Sequence, residues 1–198
     1  MNLEIIVGRF NKLLGELPKD ETLDYCDACE LCIRNSMTPS RGNGVDRSGT
    51  IMHLVTAPSP ADCRSKIILS GNTGKLVKRI LNDKGLLNLS YFTSIVKCGV
   101  NSQVKSNHIS SCFPRLKREI ERINPSMFIV YGKNPYFIIK GSEAKGMEGI
   151  ELLPNNKILI RTASLEYMKV QNDYSFLDRA YDVAIDAYRK FINKWINF

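Results

Sequence analysis

The sequence predicts an α/β protein built on a largely parallel central sheet. Two patterns lead there: short apolar, β-branched runs alternate with amphipathic helical runs, and Gly, Pro and Asn punctuate the junctions. Size agrees, since 198 residues with 43% hydrophobic side chains suit one domain with a full core.

Taken in order, Leu3, Ile6, Phe10, Leu13 and Leu14 recur at helical spacing, and Pro18 ends that helix. A cysteine-bearing segment follows, running into the polar, turn-forming stretch PSRGNGVDRSG. TIMHLVT (residues 50–56) reads as the first strand and APSPADC as a kinked run beyond it. Gly71 and Gly74 lead into the amphipathic helix KLVKRILNDKG, with Gly85 as its C-cap. A second strand spans residues 91–97, and a helix from about residue 107 to 124 stops at Pro125. SMFIVYG is a third strand, NPYFIIKG a short helix and KILIRTA (157–163) a fourth strand. The last helix, about 175–195, sets Leu177, Tyr181, Ile185, Tyr188, Ile192 and Trp195 on one stripe. The expected layout of the domain is an N-terminal helix (1–20), cysteine segment and loop (21–48), core sheet (49–168) and C-terminal helix (169–198).

Right-handed crossovers bring the strands' carboxyl ends to one edge, where ligands sit in open α/β sheets. TAPSPAD, KCGVNSQ, YGKN and RTASLEY fall at that edge, so the active site is expected there. A net charge of +8 is consistent with a polyanionic partner and equally with scattered, solvated lysines. No apolar run approaches the roughly 18–20 residues of a membrane span. MNLEIIVGRFNKLLGEL mixes acidic with apolar residues and lacks a small-residue cleavage site, so an intracellular home away from membranes is expected.

In a reducing compartment, six cysteines point to metal or redox chemistry before disulfides. Cys26 and Cys29 form a C-x2-C pair, and Cys98 and Cys112 lie far downstream as C-x13-C. Four thiolates suit a structural zinc or an iron–sulfur cluster. Zinc sites usually pair two short knuckles, so the long second spacing leans toward the cluster; buried thiols without metal are the plain alternative. Cys32 stays open between spare ligand and core residue, while Cys63, alone in its loop, reads as a buried free thiol. His53 is mid-strand and reads as core. His108, near a helix start, reads as exposed or as a neighbour of the cap.

The ordered set C-x2-C-x-L at residues 26–31, a strand ending at Val55, a proline turn, G-x2-G at Gly71 and Gly74, T-x-I-V-K-C at 93–98, Cys112 and the I-V-Y-G strand end at 129–132 carries a resemblance. It resembles the iron–sulfur branch, family 4, of the uracil-DNA glycosylase superfamily. The resemblance implies a three-layer α/β/α fold with a central four-stranded, mostly parallel sheet. It also implies a structural [4Fe–4S] cluster on Cys26, Cys29, Cys98 and Cys112, with zinc less favoured, and DNA as partner.

The catalytic motifs depart from the family's pattern. Where G-E-x-P-G carries its glutamate, this chain has Ala57; the aromatic that stacks on the flipped base is Leu69; the asparagine of T-N-x-V-K-C is Ser94; the histidine of H-P-x-x-L-L is Ala163. A flipped base needs stacking, edge hydrogen bonds and charge stabilisation as its bond breaks. Losing one such donor typically costs on the order of a hundredfold to a thousandfold in rate. Asp62 and Glu166 are the candidate replacement carboxylates, against a plainer reading as surface acids. Gly71 and Gly74 could face a phosphate at a helix start, with Lys75, Lys78 and Arg79 adding charge, or be ordinary turn residues. Lys97, Lys133 and Arg161 fall near strand ends and are expected to line a DNA groove.

Three functional readings follow. The first is a glycosylase-like protein without normal uracil excision, binding DNA or docking in a replication, transcription or repair complex. The second is an active glycosylase for uracil or another modified base. The third is a metal-cluster module with no DNA role.

Overall fold

The structure, a computed structural model, describes residues 26, 28–31, 39, 40, 42–100 and 103–196, with the backbone alone at 155 and 191–196. The helix expected over residues 3–16 and Cys32 lie outside the described residues. Six strands, β1 (Asn43–Gly44), β2 (Ile51–Val55), β3 (Ser90–Ser94), β4 (Met127–Tyr131), β5 (Gly149–Leu152) and β6 (Ile158–Thr162), form one sheet ordered β1-β3-β2-β4-β6-β5.

The middle four strands are parallel, with Ile51 of β2 opposite both Ser90 and Met127. Every residue of β2, β3 and β4 is buried. Helices covering both faces require this, which is why these strands read as continuous apolar runs and not as alternation. The four expected strands are therefore present, each shorter than its apolar run. Two antiparallel edge strands were not expected: β1 pairs with β3, and β5 with β6. One has only two residues, and the other leaves Ile150 and Leu152 exposed, so neither has the burial pattern that marks a strand.

Helices α1 (Pro60–Ser65), α2 (Asn72–Asp83), α3 (Ser106–Ile123), α4 (Lys133–Lys140), α5 (Leu165–Gln171) and α6 (Ser175–Ile196) cover the sheet. Strand alternation divides the core in two. Ile51, Val55, Phe92, Ile129 and Ile160 pack with Val77 and Leu81 of α2 and Leu177 and Tyr181 of α6. Met52, Leu54, Tyr91, Phe128 and Leu159 pack on the other face with Leu116 and Ile123 of α3 and Tyr136 of α4. The fold is a three-layer α/β/α sandwich. Asn124, left-handed at φ 43, caps α3 just before Pro125, and Gly85 at φ 71 follows the end of α2. Among the described residues no helix is long and apolar enough to cross a membrane.

A buried polar chain crosses the first core. Ser90 Oγ donates to Leu86 O, so it accepts from His53 Nε2 at 2.9 Å. That fixes the neutral tautomer: Nδ1 accepts from Tyr131 OH at 2.8 Å, and Tyr131 in turn accepts from Tyr181 OH at 2.7 Å. His53 stacks on Phe92 at 4.8 Å and is fully buried, as its mid-strand position indicated. Every polar atom of the chain is matched, so the network fixes a single packing of β2, β3, β4 and α6.

Candidate functional site

At their carboxyl ends the neighbouring strands β2 and β4 send the chain to opposite faces of the sheet. The segment after β2 runs to α1 and α2, and the one after β4 runs to α4. Such a divergence opens a crevice. A cleft of about 930 Å³ lies there, walled by the segments around Ala57, Leu69, Gly132 and Ser164.

Four helices begin at this cleft. Ser59 Oγ accepts from Asp62 N at the start of α1, and Ser164 Oγ accepts from Tyr167 N at the start of α5. By contrast, α2 starts at Gly71 and α4 at Gly132 with no side-chain cap, leaving first-turn N–H groups for an anion or water. Arg64, Lys133 and Lys169 also line the cleft and are exposed, three cations against the two carboxylates Asp62 and Glu166 of the same wall. Sequence reasoning named Lys133 and missed Arg64 and Lys169. The signal available was their position in the first helices after β2 and β6.

Other expected groove residues go elsewhere. Lys97 is buried on the α3 face, its ammonium 2.6 Å from Glu119 Oε2 and 2.6 Å from Thr93 Oγ1. Arg161 is buried on the same face as Leu159. Its guanidinium lies 4.7 Å from the Tyr136 ring centroid and donates to Lys145 O and Glu148 O at 2.6 and 2.8 Å. Neither can reach a phosphate in the cleft: lying near a strand end does not set the face a side chain takes. Lys75 is exposed on α2 but outside the cleft wall. Gly71 and Gly74 both line the cleft, and Gly74 is buried against the backbone of Leu69.

The two candidate carboxylates differ sharply. Asp62 is 2% exposed, not a surface acid. Its Oδ2 accepts from Ser59 N at 2.9 Å, and its Oδ1 accepts from Ser70 N and Ser70 Oγ at 2.7 and 3.0 Å. This carboxylate ties the α1 capping box to the turn before α2. Asp62→Ala is expected to cost about 1–3 kcal/mol in a urea unfolding experiment, the range for stranding buried donors. Glu166 is exposed at the rim of the cleft.

Ala57 and Leu69 stand on the cleft wall, whereas Ser94 and Ala163 are buried outside it. The Ser94 hydroxyl has no hydrogen-bond partner among the described residues. Neither histidine of the chain lines the cleft, although His53 lies directly behind Tyr131 of its wall. His108, expected to be exposed or a neighbour of the cap, is 3% exposed and is part of the cap. Its Nδ1 accepts from Lys105 N, and its Nε2 meets Glu30 Oε1 at 3.0 Å.

On the other face, Cys26, Cys98 and Cys112 are buried in one cluster, with Cys29 packed against it. None of the described cysteines is in a disulfide. Burial pushes the Cys112 thiol up; a backbone hydrogen bond from Lys97 opposes this, and Cys29 and Cys26 are close enough to reinforce it. Cys63 is half-buried, not fully buried, and stands outside this cluster. No group of three or more His, Cys, Asp or Glu side chains among the described residues is placed to hold a metal ion. A multinuclear cluster places its thiolates farther apart, around bridging sulfides. A four-thiol set with an N–H donor beside it fits that chemistry.

A family model described as "Uracil DNA glycosylase superfamily" matches residues 43–179, from β1 into α6. A type-4 uracil-DNA glycosylase of Saccharolobus solfataricus is 31% identical over 116 residues, covering 55% of this chain and 51% of that protein. The chain thus matches about half the length of that relative.

Proposed function

Because the chain belongs to the uracil DNA glycosylase superfamily, we propose that its cleft binds DNA and that it does not excise uracil in the usual way. One observation carries this reading. The cleft keeps uncapped helix starts and three exposed cations, yet it has no imidazole, and its buried carboxylate is saturated by Ser59 and Ser70. Such a site holds a phosphodiester backbone but, among the described residues, lacks a group aimed at a breaking glycosidic bond.

In the same reading, Cys26, Cys29, Cys98 and Cys112 hold a [4Fe–4S] cluster. When bound, that group supplies a rigid multi-thiolate crosslink and a redox-capable centre. The residues themselves do the rest: Cys26 and Cys29 anchor the N-terminal segment, while Cys98 and Cys112 join the exit of β3 to α3.

The test is single-turnover excision with protein in excess on uracil-containing single- and double-stranded oligonucleotides, alongside binding across a salt series. Expected are no alkali-labile sites above the protein-free control and binding that weakens steeply with salt. Arg64→Ala, Lys133→Ala and Lys169→Ala should each lower the salt slope by about one unit. Excision lost in Glu166→Gln would replace this reading with an active enzyme using the rim carboxylate. No binding even at low salt would leave the docking or metal-module readings.

A further inference from the structure

We propose that the buried Lys97–Glu119 ion pair is a clamp that fixes Cys98 relative to Cys112, making both charged residues positioning residues for the group the thiols bind. The proposal rests on the reading of the four cysteines as cluster ligands.

Cys98 leaves β3 in a loop, whereas Cys112 sits on α3, and among the described residues between them no strand or helix begins until Ser106. Something other than local chain geometry must set their separation. Lys97 is next to Cys98, and Glu119 is seven residues beyond Cys112 on α3, two turns along the same helix. Their side chains meet at 2.6 Å and are only 5% and 12% exposed. The carboxylate is gripped from β3 twice more: Thr93 Oγ1 donates to Oε2 at 2.7 Å and Tyr91 OH to Oε1 at 2.6 Å.

The backbone of Lys97 makes the same connection. Its N–H donates toward Cys112, and its carbonyl accepts from Ser40 N at 2.7 Å. One residue therefore touches the helix that carries one thiol through two groups while preceding the other thiol directly. Stability alone gives a weak reason for such a pair, because well-packed apolar residues often replace buried ion pairs at no loss. Outer-sphere partners that orient thiolates, by contrast, have a direct effect on retention of the bound group.

The experiment uses the full chain purified anaerobically, with iron and acid-labile sulfide measured per protein. Bleaching of visible absorbance in excess iron chelator gives the release rate, and circular dichroism and thermal melting follow the fold. Lys97→Met with Glu119→Met keeps volume and removes both charges. The expected result is an unchanged circular dichroism spectrum with chelator-driven release about 10- to 100-fold faster. Lys97→Arg, which can still reach the carboxylate, should recover most of the retention. Release at the wild-type rate in the double variant overturns the clamp. Should the double variant fail to fold, Glu119→Gln carries the same test, and wild-type release there overturns it too. Wild-type protein with neither iron nor sulfide would instead overturn the cluster reading, and the clamp with it.

Discussion

Gly74→Ala is expected to destabilise the protein by about 3 kcal/mol or more, at or beyond the upper end of typical overpacking costs. A Cβ at Gly74 would lie 2.3 Å from the carbonyl carbon and oxygen of Leu69 and 2.5 Å from its Cα. These are backbone atoms, so no rotamer change removes the overlap. Leu69 has little room to yield: it holds a left-handed φ of 57, and the neighbouring Ile68 carbonyl accepts from Asn43 Nδ2 at 3.0 Å. Helix propensity alone predicts the opposite sign, since Gly to Ala within a helix usually gains up to about 1 kcal/mol. Gly71 supplies the contrast. Its added Cβ would meet only side-chain atoms, Ala61 Cβ at 3.1 Å and Ser59 Oγ at 3.7 Å, so Gly71→Ala should cost less than about 1 kcal/mol. Urea melts of the two variants decide the matter; a Gly74→Ala protein as stable as wild type would refute the close approach. Because Leu69 and Gly74 both wall the cleft, the DNA binding proposed for it should be lost along with stability.

The second large effect is acid sensitivity carried by His53. Complete burial lowers its pKa from 6.5 to about 3. The unfolded chain therefore takes up a proton below pH 6.5 that the native protein refuses until about pH 3. Stability is whole above the upper value and falls as pH drops through this window, at about 1.4 kcal/mol per pH unit where the difference is complete. His53→Leu should be less stable at pH 7 by about 1–3 kcal/mol, because Ser90 and Tyr131 lose their partner. Its acid limb should nevertheless be flatter than that of wild type. Denaturant unfolding between pH 4 and 7 measures both, and parallel limbs would remove His53 as the cause.

The alternation of elements was legible because β2, β4 and β6 are buried on both faces, leaving runs such as IMHLV and MFIVY with no competing helical pattern. Helix α1 was passed over as a kinked run because two prolines bracket Ser59. That arrangement is in fact a start signal: Ser59 as N-cap, Pro60 at the first position and Asp62 closing the capping box. At the site, sequence order showed which segments meet but not the face a side chain takes. Lys97 and Arg161 lie near strand ends, as read, yet each turns to the α3–α4 side, where Glu119 and the carbonyls of residues 145 and 148 hold it. The thiol spacing indicated that four cysteines could meet, and three lie in one buried cluster with Cys29 against it. Nothing in the spacing indicated that Lys97 meets Glu119, because that contact depends on the turn of α3 seven residues past Cys112.

The order of the strands also bears on how the chain is made. β2 is central, but its second neighbour, β4, begins at Met127, whereas all four clustered thiols lie at or before residue 112. Synthesis from the N-terminus therefore delivers β2, β3 and the complete thiol set before β4 and β6 exist. Parallel pairings between distant segments are slow to form. The half of the molecule holding the cysteines thus leaves the ribosome with one edge of β2 still open, and a crosslink among those thiols would hold β3 and α3 together while the rest of the sheet is being made.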